Sequence, residues 1–261
     1  MSAVRHGPYG VLTGNVFSNC LSVLLPVKND PTPFLLESNV LYRCSTIRGT
    51  YNNWGEWPNP EFRFNVFWCE PGSAIPFLEK KGKWGLHGED VRIHHNTFVN
   101  VSHLAFVNPD GNNLTNIVWQ PKFFDNLIVL DPADGDGLTV FRNNQTAFAP
   151  GNHSSFKTGG VGCLRNNAWF APGGISGGPA AAVEGYDLSA GCLVTNNVEL
   201  SAPPLFVSTK LESPHFCRPA MRNGAWAGNG YAWTNDGEYP DWIGAKPGWI
   251  PELYRTLLIL R

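Results

Sequence analysis

The sequence predicts an all-β solenoid built from stacked pairs of short strands. A short pattern carries this prediction: an apolar residue, two further residues, an Asn, and then usually apolar residues again, as in V-R-I-H-H-N-T-F-V from Val91 to Val99. It recurs at intervals of 18 to 31 residues, with the Asn at Asn15, Asn39, Asn65, Asn96, Asn126, Asn144, Asn167 and Asn197. A loose repeat of this length is typical of solenoids, in which each unit buries its apolar side against its neighbours.

Composition supports the same class and excludes others. Charged residues make up only 15% of the chain, whereas 28 Gly and 21 Pro indicate turns and strands rather than helices. The net charge of −2 gives no reason to expect nucleic acid or an anionic membrane as a partner. No apolar run reaches the length of a membrane span. Residues 1–10 lack the regions of a secretory signal and lead directly into the repeat, so we expect an N-terminally truncated sequence.

The position three residues before each Asn is predicted to form the core. It is apolar in all copies: Leu12, Leu36, Phe62, Ile93, Phe123, Phe141, Leu164 and Val194. A second strand is predicted after each Asn, beginning for example at Val16, Val40 and Val66. The Asn itself is predicted to adopt the left-handed conformation of a tight corner and to bond through its amide to the Asn above and below.

These repeats resemble the right-handed parallel β-helix, or pectate-lyase-like, proteins, whose coils carry an Asn ladder of the N-x-F kind. The resemblance covers roughly Tyr9 to Leu200 and implies about eight coils in residues 1–200, with 201–261 as a C-terminal capping segment of the same domain. The run P-D-W-I-G-A-K-P from Pro240 to Pro247 resembles the D-I-G-A tail of bacterial members, with Trp242 inserted, and we expect it to cover the open end. The resemblance also implies a monomeric, extracellular or periplasmic protein acting on carbohydrate.

Loops between the coils carry further candidate residues. The loop after the second coil contains Trp54 and Trp57, and the long insertion from Glu70 to Asp90 contains Trp84 and His87. Aromatic rings on loops stack on sugar faces, although they also fold back as lids over a core. Long loops on one side of a rigid solenoid are common places for function.

A calcium site is one interpretation of the acidic loop D-P-A-D-G-D-G. Its three carboxylates, Asp131, Asp134 and Asp136, could gather oxygen ligands for Ca²⁺, although the spacing fits no EF-hand loop and acidic Gly-rich turns also occur without metal. The six Cys match no metal-ligand spacing. Cys20 and Cys44 each lie five residues after their Asn and should stack in adjacent coils, and we expect most of the Cys to pack as small hydrophobes.

Alternation along the strand before each Asn predicts a polar patch. Residues two and four before the Asn should point to solvent, opposite the core position. In the middle coils these residues are Glu61, Arg63, Arg92, His94 and Lys122, with Glu37 and Arg142 at the ends of the patch. Stacked cations suit an acidic ligand, because Arg binds carboxylates in a bidentate manner. The alternative is an ordinary solvated face on which Glu61 pairs with Arg63 or Arg92.

The resemblance and the patch together predict a polysaccharide lyase that cleaves a uronate-containing glycan by β-elimination. Such chemistry needs cations or Ca²⁺ on the substrate carboxylate and a base for the adjacent proton. We expect Arg63, Arg92, His94 and Lys122 to serve it, with His87 as a second acid or base, whereas alternation turns His95 toward the interior or the corner. Alternatives are a glycoside hydrolase using a pair such as Glu37 and Glu61, a non-catalytic carbohydrate-binding or adhesin-like solenoid, and an inactive remnant of a truncated chain.

Overall fold

The computed structural model describes residues 2–4, 11–20, 22–24, 35–44, 47–49, 61–72, 76–81, 88–108, 119–131, 139–143, 163–174, 193–195, 197–219 and 243–245. These residues are all-β and form strands β1 to β20, numbered in chain order. Every pair of neighbouring strands is parallel. Within this part of the chain, no helix has the length and apolar character needed to cross a membrane.

The first sheet contains the strands that precede the repeated Asn residues. They are β2 (Val11–Thr13), β5 (Leu35–Glu37), β8 (Glu61–Arg63), β11 (Gly88–His94), β14 (Trp119–Phe124), β17 (Cys163–Arg165) and β19 (Leu193–Thr195). The second sheet contains the strands that follow them: β3 (Val16–Ser18), β6 (Val40–Tyr42), β9 (Val66–Trp68), β12 (Thr97–Val99), β15 (Leu127–Val129), β18 (Ala168–Phe170) and β20 (Val198–Glu199).

A third, four-stranded sheet and a separate strand pair complete the arrangement. The third sheet contains β7 (Ile47–Gly49), β10 (Pro76–Lys81), β13 (His103–Asn108) and β16 (Thr139–Asn143), and the pair joins β1 (Ser2–Val4) to β4 (Ser22–Leu24). In the middle of the chain, successive strands pass through the first, second and third sheets and then return to the first. This succession of parallel strands is compatible with a β-helix solenoid.

The core prediction is confirmed for the central coils. Leu36, Phe62, Ile93 and Phe123 have no exposed surface, and they lie at matching positions of adjacent strands. The second sheet adds aromatic residues to the interior, with Phe67 and Phe98 stacked at a centroid distance of 5.0 Å. Each strand therefore places its apolar residue against the equivalent residue of the next level.

The Asn ladder is confirmed, with one change of membership. Each ladder Asn donates its backbone N–H and its side-chain Nδ2–H to Oδ1 of the next Asn, at distances of 2.9–3.1 Å. The order is Asn15, Asn39, Asn65, Asn96, Asn126, Asn167 and Asn197.

The prediction that Asn144 belongs to this ladder is wrong. Asn126 bonds directly to Asn167, and the strand before Asn144 lies in the third sheet, where Phe141 pairs with Ala105. Asn144 follows Asn126 by 18 positions, whereas successive ladder Asn residues are 24 to 41 positions apart. The apolar residue of F-R-N-N therefore lies in the third sheet rather than before a ladder Asn, and Asn144 itself lies outside the described residues.

The left-handed residue of each corner is the one before the ladder Asn, not the Asn itself as we predicted. Six of these preceding residues have φ between 52° and 70°: Gly14, Ser38, Phe64, His95, Asp125 and Asn166. This placement leaves each Asn free to point along the stack, where its amide reaches the neighbouring coils. The corner therefore accepts bulky residues such as Phe64 and His95 in the left-handed backbone conformation, which residues other than Gly adopt uncommonly.

The described parts of the C-terminal segment, residues 201–219 and 243–245, pack against the side of the second sheet. Phe216 and Ala245 share a buried cluster with Val16, Val40 and Val66, and Ile243 packs on Leu127 and Ala168. The backbone N–H of Ala245 donates to Thr97 Oγ1 at 2.8 Å. The expectation that the tail covers an open end is therefore wrong for Ile243–Ala245, which lies across the middle strands because the outer face of the second sheet is apolar.

The cysteines that the structure describes pack as expected. Cys20, Cys44, Cys69 and Cys217 are buried free thiols. Burial raises the pKa of Cys44 to about 12, that of Cys69 to about 11 and that of Cys217 to about 12. The thiols of Cys44, Cys69 and Cys217 are thus held in the protonated, unreactive form.

Candidate functional site

The predicted polar patch is assembled on the first sheet around β8, β11 and β14. Arg92 pairs with Glu61 on one side and with Lys122 on the other, and His94 pairs with Arg63 and Phe124. On the next strand, Glu37 is the register partner of Arg63. Parallel pairing without a shift between Arg92 and His94 therefore aligns the two polar columns as the repeat predicted.

Arg63 holds two carboxylates at one edge of this patch. Its Nε lies 3.1 Å from Glu37 Oε1 and its Nη1 lies 2.9 Å from Glu61 Oε1. Burial opposes the charge of Arg63, but Glu61 and Glu37 outweigh it and raise the pKa of the guanidinium. The pairing of Glu61 with Arg63, which we considered as the alternative to a binding surface, is thus present.

The structure contradicts the solvent-facing position that we predicted for His94. The imidazole has no exposed surface and stacks on Phe124, with centroids 4.5 Å apart and the rings 5° from parallel. Phe64 approaches it edge-on from the corner. His94 does lie opposite Ile93 on the strand, but its neighbours cover that face, so a polysaccharide cannot touch the ring in this conformation.

The two adjacent histidines connect the patch to the next corner. His94 Nε2 lies 3.0 Å from Glu61 Oε1, and His94 Nδ1 lies 2.9 Å from His95 Nδ1. On the far side, His95 Nε2 lies 3.6 Å from Asp125 Oδ2. His95 is fully buried and hydrogen-bonded at the corner, which confirms our expectation for this residue.

Sequence reasoning missed Asp125, although the repeat contains a signal for it. Asp125 and His95 each stand directly before a ladder Asn, in consecutive coils. The residues before the ladder Asn form a column of their own at the left-handed position. In this column the repeat places an imidazole beside a carboxylate.

Burial and charge set the protonation of the pair formed by Glu61 and His94. Burial alone would raise the pKa of Glu61, but the hydrogen bond and charge of His94 and the charge of Arg63 lower it. Burial lowers the pKa of His94, the charges of Arg63 and Arg92 act in the same direction, and Glu61 opposes them. We therefore assign an ionised Glu61 that accepts a hydrogen bond from Nε2–H of a neutral His94.

These shifts predict that folding stability declines as the pH falls. Both pKa values are lowered, from 4.5 for Glu61 and 6.5 for His94, so the unfolded chain binds more protons in acid. The stabilisation is complete above the ordinary His value and is lost as the pH falls through the folded-state values. We expect the urea midpoint to drop between about pH 7 and about pH 5. The variant His94→Gln should flatten this drop, and an equal slope in both proteins would contradict the prediction.

Arg92 and Lys122 form the cationic part of the patch. They are partly exposed and occupy paired positions on adjacent strands, which lie about 4.8 Å apart. Like charges at paired positions are unfavourable, and an anion between them relieves the repulsion. The expected contribution of Arg142 is wrong, because its strand belongs to the third sheet, where Arg142 pairs with Phe106.

All but one of the remaining candidate residues lie outside the described residues. Those outside are His87, Trp54, Trp57, Trp84, Asp134 and Asp136. Asp131 is described as partly buried, and its backbone N–H donates to Asn100 Oδ1 at 2.9 Å. No group of three or more His, Cys, Asp or Glu suited to a metal ion occurs in the described part of the chain. The calcium site therefore stays a prediction.

Comparisons of the whole chain with known proteins gave no relative. No family model, no curated protein and no solved structure matches it.

Proposed function

We propose that this protein is a right-handed parallel β-helix that binds a uronate-containing glycan along the first sheet and cleaves it by β-elimination. The observation that carries the proposal is the pairing of Arg92 with Lys122 on adjacent strands, beside the Glu61 and Arg63 ion pair. Two neighbouring, partly exposed cations fit a row of carboxylates better than a neutral sugar. Such a substrate places the protein outside the cytoplasm, as the resemblance of its repeats implies.

Arg92 and Lys122 have a defined task in this reaction. β-Elimination transfers the C5 proton next to the uronate carboxylate to a base, forms the C4–C5 double bond and breaks the C4–O bond, whose oxygen leaves as a protonated hydroxyl. Since His94 is buried, His87 stays the candidate for this acid or base, and it lies outside the described residues. Negative charge grows on the carboxylate side as the proton leaves, and fixed cations at that position lower the barrier. In this proposal His94 does not contact the substrate, since its ring is buried, and it supports Glu61 instead.

The arrangement of Glu37 and Glu61 favours a lyase over a glycoside hydrolase. A hydrolase needs two carboxyl groups that flank the scissile bond, separated by about 5 to 9.5 Å, and one of them must carry a proton. Here Oε1 of Glu37 and Oε1 of Glu61 both accept from the guanidinium of Arg63.

A panel of polysaccharides tests the activity. The purified protein is incubated with acidic and neutral polysaccharides, with and without calcium, while ultraviolet absorbance of unsaturated uronate and reducing ends are followed together. We expect both signals to rise on a uronic acid polymer. A rise in reducing ends without a rise in absorbance would identify a hydrolase. If neither signal rises with a folded sample, the protein is a binding module rather than an enzyme.

Removing one cation should abolish most of the turnover. We expect Arg92→Ala to lower kcat/KM by about 100-fold or more, because a fixed charge at the developing anion is lost. The control is Lys210→Ala, which removes an exposed cation from the C-terminal segment. Urea denaturation should show both variants folded. Wild-type turnover in Arg92→Ala would refute the assigned role of the cation pair.

A further inference from the structure

The buried pair of His94 and His95 lies between two carboxylates. Glu61 is hydrogen-bonded to His94 on one side, and Asp125 is within ion-pair distance of His95 on the other. The two imidazoles meet at nearly a right angle, with Nδ1 facing Nδ1 at 2.9 Å. The polar atoms of these four side chains thus form one line of successive contacts, from Glu61 in the patch on the first sheet to Asp125 at the next corner.

Hydrogen-bonding rules determine where the protons lie in this line. Ionised Glu61 only accepts, so His94 Nε2 carries a hydrogen, and Nδ1 of the neutral ring is then an acceptor. His95 Nδ1 must therefore donate to it. Two doubly protonated rings are excluded, because their N–H groups would face each other across 2.9 Å. The pair therefore accommodates one positive charge at most, with a single hydrogen between the two Nδ1 atoms.

We propose that Asp125 holds His95 as an imidazolium and that this ring is a proton reservoir for Glu61, connected to it through His94. When the reservoir discharges, the Nδ1 proton of His95 passes to Nδ1 of His94, and the Nε2 proton of His94 passes to Oε1 of Glu61. His95 keeps its Nε2 proton and becomes neutral, His94 stays neutral with its tautomer reversed, and Glu61 becomes a carboxylic acid. The total charge is unchanged.

The distances match these roles. The two links that carry a proton are 2.9 Å and 3.0 Å long, within the range of hydrogen bonds. The contact of 3.6 Å between His95 and Asp125 is longer than a hydrogen bond, and there the carboxylate only has to supply charge. The neutral state of His94 agrees with its burial and with the charges of Arg63 and Arg92 that act on it.

The surroundings isolate the line from water at its centre. Both imidazoles are fully buried, whereas the side chains of Glu61 and Asp125 are 21% and 12% exposed. Phe124 and Phe64 cover the rings. A glycan lying over Glu61 would cover the exposed part of its side chain. His95 would still supply a proton to Glu61 through His94. The reservoir does not depend on the proposed lyase activity, since it is a property of the free protein.

Nitrogen NMR of the full chain tests the charge assignment directly. With ¹⁵N-labelled histidine near neutral pH, His95 should show two protonated ring nitrogens and His94 a neutral ring protonated at Nε2. The signals are assigned by their loss in His94→Gln and His95→Gln. In Asp125→Asn, which keeps the shape of the side chain but removes its charge, His95 should become neutral. A neutral His95 in the wild-type protein would overturn the proposal.

Carbon NMR of the Glu61 carboxyl tests the connection. Removing the negative charge of Asp125 through space alone would lower the midpoint of the Glu61 titration. The proposal predicts the opposite, a rise of roughly one pH unit in Asp125→Asn, because His95 loses its positive charge. This rise should vanish when Asp125→Asn is made in a His95→Gln background, as in a double-mutant cycle. The control Glu212→Gln, at an exposed position of the C-terminal segment, should leave the midpoint of the Glu61 titration unchanged. A lowered midpoint in Asp125→Asn would overturn the proposal.

Discussion

Replacing Asn96 by Ala should destabilise the protein by about 3–5 kcal/mol. Asn96 is fully buried in the middle of the ladder, where its Oδ1 accepts from N–H and Nδ2–H of Asn65. Its Nδ2 donates to the backbone carbonyl oxygens of Phe62 and His94 at 2.8 Å and 2.9 Å. The Ala side chain replaces none of these bonds, and buried polar groups without water are costly. Urea denaturation with wild-type protein alongside measures the loss.

The matched control for this variant is Asn15→Ala at the first rung. Asn15 is partly exposed, and its Nδ2 donates to Thr13 O and to Asn39 Oδ1. Asn39 Oδ1 keeps its bond from the backbone N–H of residue 15 in the variant, and water reaches Thr13. We expect a loss of about 1 kcal/mol. Equal losses at the two rungs would show that the ladder does not stabilise the interior through buried bonds.

Replacing Gly244 by Ala should release the C-terminal segment from the second sheet. Gly244 has a φ of +81°, and a Cβ built there lies 2.8 Å from Thr97 Oγ1 and 3.0 Å from Leu127 Cβ. Leu127 is fully buried, so its Cβ can move away only by disturbing the close-packed interior. The backbone N–H of Gly244 also donates to the carbonyl oxygen of Asp125 at 2.9 Å. We expect a loss of about 2–4 kcal/mol in the free energy of unfolding and faster proteolysis near residue 244.

Gly72→Ala separates the steric effect from the backbone effect. Gly72 has a similar φ of +75°, but nothing lies within 4 Å of a Cβ built there. This variant should lose only the conformational term of about 1–2 kcal/mol, with proteolysis of the C-terminal segment unchanged. If both variants lost the same stability, the close contact of Gly244 with Thr97 and Leu127 would have no energetic importance.

The polar patch shows how far sequence reasoning reached at the site. The register that brings Glu61, Arg92 and Lys122 together follows from counting back from each Asn. The solvent exposure of these residues could not be predicted by counting back from the Asn. His94 occupies the predicted face of its strand, yet it is buried, because Phe124 from the next coil stacks on it. Neighbours that are distant in the sequence decide whether an outward residue meets water.

The repeat of apolar residues and Asn by itself determined the parallel β architecture, the core column and most of the ladder, because side chains alternate along a strand and each corner is a local structure. Only the tertiary structure decided that Asn144 is left out of the ladder, that Ile243–Ala245 lies on the side of the second sheet, and that Phe124 buries His94. Each of these outcomes depends on contacts between coils or with the C-terminal segment. Such contacts depend on which surfaces are left to be covered once the strands have stacked, and no local pattern records that.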